Sequence, residues 1–548
     1  MRSASVPSAA IAGVLLLAGC TGSAGGGGED DATAVSPVTA TPSATSTLVA
    51  DTDPAASAVS TSRALFTSSP VAVVAGVDDE AAQLAGASAA VGLGVPLLLS
   101  TGDAGDPAVG ELDRLGATDV LVVGDAGLDA GDREVVTVPP TGEGVEDATG
   151  LQLGDAETVD ADGAVAAVAA LQDEGTALLQ ADGSGDEGPE ASGGELPAVE
   201  RAAPLSDVVV LASGSSESLA GVATARAAGA QVELTGGQTD PRASADVVDA
   251  LAAARPAAVV ALGADFAGVP GLDWKTATAA SGTQLPGGGQ LLFPEHFFVA
   301  LYGYPDGGAL GVLGEQPLAE SITRAEQTAA PYAALVPDKT VVPMFEVIAT
   351  VASASAGPDG NYSTEADVES LRPYVEAAGA AGLYVVLDLQ PGRTDFLTQA
   401  QLYQSLLELP YVGLALDPEW RLRPDQVHLT QIGQVGIDEV NQVVTWLADL
   451  TRANALPQKL LVLHQFQLRM ITERERLDTS RDELAIMVHV DGQGGQGAKQ
   501  DTWNTLHEGA PAPLYWGWKN FYDEDLPMLT PEETVAQVLP TPELVTYQ

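Results

Sequence analysis

The sequence predicts an α/β protein: parallel-sheet modules in the N-terminal half, then a barrel of alternating strands and helices. Three observations predict it. Short apolar runs alternate with helical stretches twice over at comparable spacing, the composition changes at residue 291, and seven further strand–helix units then follow in a row.

The first module starts with VAVVAG (71–76), a run apolar on both faces, as a strand covered on both sides must be. DDEAAQLAGASAAVGLG follows as a helix, VPLLLS (95–100) as a strand, DPAVGELDRLG (106–116) as a helix and DVLVVG (119–124) as a strand. The order recurs in DVVVLAS (207–213), ESLAGVATARAAG, QVELTG (231–236), PRASADVVDALAAA and AAVVALG (257–263). These are tandem Rossmann-like parallel modules, expected over 65–137 and 205–285. The turn GVDDE after the first strand has no G-x-G-x-x-G and puts acids where a phosphate would sit, which argues against a dinucleotide. Between the copies, EVVTV and DADGAVAAVAALQDE read as a partial third unit, and the linking segment, 138–204, carries an acidic insertion (181–196) expected to be disordered.

The first module resembles the cell wall-binding repeat 2 family, through Gly94-Val95-Pro96-Leu97-Leu98-Leu99 and Leu115-Gly116 with Val122-Val123-Gly124. In the second copy Gly229-Ala230-Gln231-Val232 stands where the family has its proline, and Asp125 replaces the second glycine of the closing pair. The resemblance implies attachment to wall polymers, with a structural or protein-binding role as the alternative.

Residues 1–19 read as a signal peptide: Arg2, then the short apolar AAIAGVLLLAG, then cysteine. Leu17-Ala18-Gly19-Cys20 resembles the lipobox of bacterial lipoproteins, which implies a lipid on Cys20 and a protein on the outer face of the cell membrane. Cys20 is the sole cysteine, so disulfides and thiolate metal sites are out. Residues 20–64 are rich in Gly, Ser, Thr and Pro at their start and are expected to be a disordered tether. The formal charge of −52 repels polyanions, so nucleic acid is not an expected partner.

From 291 to 548 aromatic and basic residues become commoner. The strand candidates are FFVALYGYP (297–305), VVPMFEVIATV (341–351), LYVVLDLQPG (383–392), YVGLALDPEW (411–420), KLLVLHQF (459–466), LAIMVHVDGQG (484–494) and PLYWGWKNFY (513–522). STEADVESLRPYVEAAGAAG, TQAQLYQSLLELP and QIGQVGIDEVNQVVTWLADL are the helices between, with Ser/Thr-x-x-Glu/Asp openings that fit N-caps. Seven units predict a (β/α) TIM-type barrel, complete or lacking one strand, with a doubly wound open sheet as the alternative.

A barrel works at the C-terminal ends of its strands. Those ends carry Tyr302, Glu346, Asp388, Asp417 and Glu419, His464, His489 and Asp491, then Trp516, Trp518 and Lys519. Paired carboxylates with aromatic walls suit glycosidic bonds, because a neighbouring carboxylate raises the pKa of the one that must donate a proton. Asp417 and Glu419, two apart, project to one side of a strand. Glu419 is the expected acid and Asp417 the residue that holds it; the others are expected to bind substrate.

The fourth strand is similar to the D-G-x-D-x-D-x-E signature of chitinase-like glycoside hydrolases of family 18. Gly413, Asp417 and Glu419 fall at the glycine, last aspartate and catalytic glutamate, while Val412 and Ala415 replace the first two aspartates. That resemblance implies that Trp516 or Trp518 stands for a late-strand tryptophan and Asp491 for a sixth-strand aspartate. His464, His489, Asp491 and Asp388 are also metal-ligand types, but no H-x-H or H-E-x-x-H pair occurs, so neither metal nor cofactor is expected. The sequence thus predicts a barrel that binds and hydrolyses an envelope polysaccharide. The alternatives are a non-catalytic wall or partner-binding scaffold and a metal-dependent hydrolase.

Overall fold

The computed structural model describes residues 34–183 and 188–548. The signal peptide, Cys20 and the first part of the tether lie outside the described residues. No helix among the described residues is long and apolar enough to cross a membrane.

The C-terminal half is a closed barrel of eight parallel strands in sequence order. They are β1 (His296–Gly303), β2 (Thr340–Ala352), β3 (Tyr384–Leu389), β4 (Val412–Leu416), β5 (Lys459–Gln465), β6 (Leu484–Val490), β7 (Tyr515–Asn520) and β8 (Leu544–Tyr547). β8 pairs with β7 and β1, and β1 with β2, which closes the ring. The barrel is therefore complete: the eighth strand is the short LVTY that no polar strand end advertised.

Successive strand residues point to opposite faces, which divides the barrel into two cores. Phe298, Ala300, Met344, Val386, Ala415, Val462 and Met487 fill the inside. Phe297, Val299, Leu301, Val347, Val385 and Trp518 face outward against helices such as Val368–Ala380 and Ile437–Ala453. The first of those helices is capped by Asp367, whose side chain accepts from the Glu369 N–H; the expected cap region, Ser363–Glu365, is instead a strand antiparallel to the end of β2. Between β5 and β6 the connection holds no α-helix, only short 3-10 turns and the two-residue strand Ile471–Thr472, and Arg474 fills the gap by donating to Gln465 and to the Leu506 carbonyl.

The N-terminal half holds two four-stranded parallel sheets whose first three strands follow the same order. One runs Leu97–Ser100, Val71–Gly76, Asp119–Val123, Glu134–Val138; the other Gln231–Leu234, Val208–Ala212, Ala258–Leu262, Ser46–Val49. The fourth strand of the second sheet comes from the stretch expected to be tether. That expectation fails from residue 34 onward: Ser46–Val49 pairs with Ala258–Leu262, and the helix Pro54–Leu65, capped by Asp53, is buried along one face. Its apolar residues, Ala55, Ala58, Val59 and Leu65, supply the surface that a true tether lacks. The sheets share one core, and Thr224 on the helix Leu219–Ala227 exchanges hydrogen bonds with the Leu97 backbone across it. In the expected acidic insertion, Ser192 bridges Thr137 through two backbone hydrogen bonds of 2.9 Å, so the described part of it lies against the edge of the first sheet.

The second sheet's unit docks on the closed, N-terminal end of the barrel. Lys275 meets Asp482, just before β6, at 2.6 Å, and buried Arg242 donates to the Asp482 carbonyl. Trp274 lies beneath the guanidinium groups of Arg242 (4.5 Å) and Arg452 (4.9 Å).

Candidate functional site in the barrel mouth

The inward row of each strand ends in a polar residue above the apolar layer. Tyr302, Glu346, Asp388, Asp417, His464, His489, Lys519 and Thr546 come one from each strand, Asp417 from the position just past β4. Each is two positions beyond an inward neighbour such as Ala300, Met344, Val386, Ala415, Val462, Met487 or Leu544. Strand parity therefore converges them on one point.

At the centre stands His464. Its Nε2 donates to Glu346 Oε1 at 2.7 Å, and its Nδ1 donates to Asp491 Oδ2 at 3.1 Å. Burial disfavours charge on this imidazole, but Glu346, Asp491 and Asp388 outweigh it and raise its pKa well above the ordinary value. The same pairing acts on the acids. Burial opposes ionisation of Glu346, yet the charge and hydrogen bond of His464 hold its carboxyl at about 2. Asp491, likewise buried, is held below the usual carboxylate range by His464. Thr546 adds a hydrogen bond to Glu346 Oε2 at 3.2 Å. His489 sits with its Nδ1 3.3 Å from that of His464; burial, then the charges of His464 and Lys519, push it down to about 3 against the pull of Glu346, so it is neutral.

Three other carboxyls are driven the opposite way. Burial pushes Asp388 up to about 6 against His464; its Oδ2 accepts from the Tyr302 hydroxyl at 2.9 Å. Asp417, 4% exposed, is raised well above its ordinary value by burial and by Asp388, and its Oδ1 accepts from the Glu419 N–H at 3.1 Å. Glu419 is only half-buried; burial and the Asp491 charge raise it to about 7, with Lys519 and His464 opposing.

Above this floor lies a cavity of about 400 Å³, within the range of roughly 300–1,000 Å³ of small-ligand pockets. Tyr302, Gln390, Asp417, Glu419, Asp491 and Lys519 form its polar lining, and Trp420, Phe466 and Phe521 its aromatic walls. The Lys519 ammonium rests over the Tyr302 ring, 3.6 Å from its centroid. The three aromatic walls and Gln390 were not expected from the sequence. Each lies one to three residues past a strand or strand-end acid, where the polar strand ends themselves could have pointed to them.

Trp516 and Trp518 are not in the mouth. With Lys519 and Gly517 facing inward, parity turns both tryptophans outward. Trp518 is fully buried in the outer core, its Nε1 donating to Asn520, and Trp516 stacks on His507 at 3.5 Å. The substrate-binding role and the match to a late-strand tryptophan fall with that placement.

One ligand atom from each of Glu346, His464 and His489 lies within 4.8 Å of the others, a possible cation cradle. Both nitrogens of His464 already donate to carboxylates, so a metal there has to displace a proton and break one of those bonds. The donor set does not fit a metal without rearrangement.

The fold and mouth together define a protein with parallel α/β sheets and a closed eight-stranded barrel carrying an acid-rich cavity. No known family matches the chain, and no curated protein does. Two solved structures are similar to it in part: Cwp8 from Clostridium difficile, 14% identical over 44% of this chain and 52% of that one, and Cwp6 from Clostridium difficile, 12% identical over 64% and 66%. This chain thus spans about half the length of Cwp8. Both have a TM-score of 0.30, a likeness too slight to bear on what this chain does.

Proposed function

We propose that the barrel mouth binds an envelope polysaccharide and hydrolyses it, with Glu419 as the proton donor. The observation that carries this reading is a half-buried glutamate, held protonated to about pH 7, on the wall of an aromatic-lined cavity that also contains an ionised carboxylate. A glycosidic oxygen leaves as an alcohol only if it receives a proton, and a carboxyl titrating near neutrality supplies one. Asp417 fixes Glu419 through its backbone N–H. Trp420, Phe466 and Phe521 offer apolar faces for sugar rings.

The rest of the reading leans on sequence resemblance. Cys20 would carry a lipid that holds the chain to the outer face of the membrane, and the two parallel sheets, read as wall-binding modules, would keep it among wall polymers. A second reading, binding without hydrolysis, is favoured by how completely both nitrogens of His464 are taken up by Glu346 and Asp491. The test is release of new reducing ends from purified wall polysaccharide fractions by the parent chain and by Glu419→Gln. Release by the parent alone supports hydrolysis with the acid at 419. Fractions that co-sediment with both proteins but yield no reducing ends from either support the binding reading.

A further inference from the structure

We infer that Asp491 is the second working carboxylate of the mouth and that His464 is the residue that positions it. The inference rests on the hydrolase reading and assigns it the base that Glu419 alone lacks.

Asp491 lies one residue past β6, and its two oxygens have different surroundings. Oδ2 accepts from His464 at 3.1 Å. Oδ1 is buried, has no hydrogen-bond partner, and belongs to a side chain that lines the cavity while only 8% exposed. A buried carboxylate oxygen without a partner costs free energy unless the site uses it. A water molecule or a sugar hydroxyl that enters beside it as the cavity fills would satisfy it.

Behind Asp491 the chain of contacts is continuous. His464 is clamped on its far side by Glu346, and Glu346 is anchored by Thr546. The clamp fixes the imidazole ring and so fixes the direction of Oδ1. No comparable support reaches Asp417, whose Oδ1 is spent on the Glu419 N–H. The electrostatics agree with the geometry: Asp417 and Glu419 are pushed up and Asp491 down, and Asp491 is the leading charge that keeps the proton on Glu419. Two carboxyls in one cavity with pKa values driven apart form an acid and a base.

The reaction then balances with one water. The water oxygen bonds to the anomeric carbon while Asp491 Oδ1 takes one of its protons. The bond from that carbon to the glycosidic oxygen breaks, its electron pair goes to the oxygen, and Glu419 gives that oxygen its proton. Solvent returns the proton from Asp491 to Glu419.

The test uses the full chain and three variants, Asp491→Asn, Asp417→Asn and His464→Gln. The substrate is any wall polysaccharide fraction from which the parent releases reducing ends. Asp491→Asn is expected to lose at least about 100-fold in kcat with KM little changed, in line with removal of a general base. Asp417→Asn keeps an acceptor for the Glu419 N–H and should lose less than about 10-fold. Independently of activity, carboxyl-carbon NMR of the parent and His464→Gln follows the titration of Asp491, whose midpoint should rise when the imidazole is removed. The acid limb of the variant's pH–rate curve should lie higher in pH than the parent's to match. Glu346→Gln, which loosens the clamp without touching Asp491, should shift that limb in the same direction if His464→Gln fails to fold.

Near-parental rates in Asp491→Asn with collapse in Asp417→Asn would move the base to Asp417 and overturn the inference, leaving the hydrolase reading intact. An unchanged Asp491 midpoint in a folded His464→Gln removes the positioning role. No release by the parent from any fraction overturns hydrolysis itself, and Asp491's part in it.

Discussion

Replacing Glu346 with Gln removes one charge from the centre of the mouth at almost constant side-chain size. In the folded chain this carboxyl titrates at about 2, against an ordinary value of 4.5. The difference, 4.5 − 2, is about 2.5, and at about 1.36 kcal/mol per unit the ionised carboxylate stabilises the fold by about 3 kcal/mol at pH 7. A folded-state value below the unfolded one gives a contribution that is complete above 4.5 and is lost as pH falls toward 2. At pH 3 about half of it remains. The pH 7 figure also matches the loss of about 3–5 kcal/mol typical of breaking a buried ion pair from one side. Urea unfolding measures it, followed by tryptophan fluorescence, since Trp503 and Trp518 are fully buried in the barrel. Glu346→Gln should lie about 3 kcal/mol below the parent at pH 7 and about half that at pH 3. An equal gap at both pH values would refute the reasoning, because it would mean that His464 does not hold Glu346 ionised.

Hydrolysis should decline as pH rises through about 7, where Glu419 gives up its proton. Initial rates across that range check it, and a flat profile would remove Glu419 as the acid. Lys459, fully buried at the start of β5, donates to the carbonyls of Leu409 and Val412, and burial lowers its pKa to about 7. The unfolded chain therefore binds more protons between about pH 7 and 10.5, so stability rises with pH there and Lys459→Met should flatten that slope, read as Tm at pH 7 and pH 9. In Gly517→Ala the new Cβ would stand 2.5 Å from His489 Cδ2 and 3.1 Å from Met487 Sδ. A loss of about 1–3 kcal/mol is expected, whereas Gly497→Ala, with open space around it, should not destabilise; equal Tm values for the two would show that His489 has room to move.

Much of the mouth was legible because its residues break a pattern. Glu346, Asp388, His464 and His489 interrupt apolar strands at the end where a barrel works, and periodicity alone places them there. The tryptophans of β7 were misplaced although the same periodicity applies: chemistry suggested sugar platforms, but parity with Lys519 turns them outward. β8 escaped notice because LVTY is short and its one mouth residue, Thr546, carries no charge. The pairing of His464 with Asp491 was not readable at all, since it depends on how β5 and β6 sit side by side and on a loop direction just beyond β6. Nor was the role of 46–65, where a polar opening concealed a strand whose partner lies about two hundred residues away and a helix packed on Leu219–Ala227 and Leu97–Ser100.

Arg242, Trp274 and Lys275 bind the second sheet's unit to one end of the barrel, and the cavity opens at the other. The docked unit thus plugs the end of the barrel that does no work, and the mouth at the other end is left open to solvent. A change in the N-terminal half would reach the cavity only along the eight strands, through the apolar layer that separates Asp482 from His464.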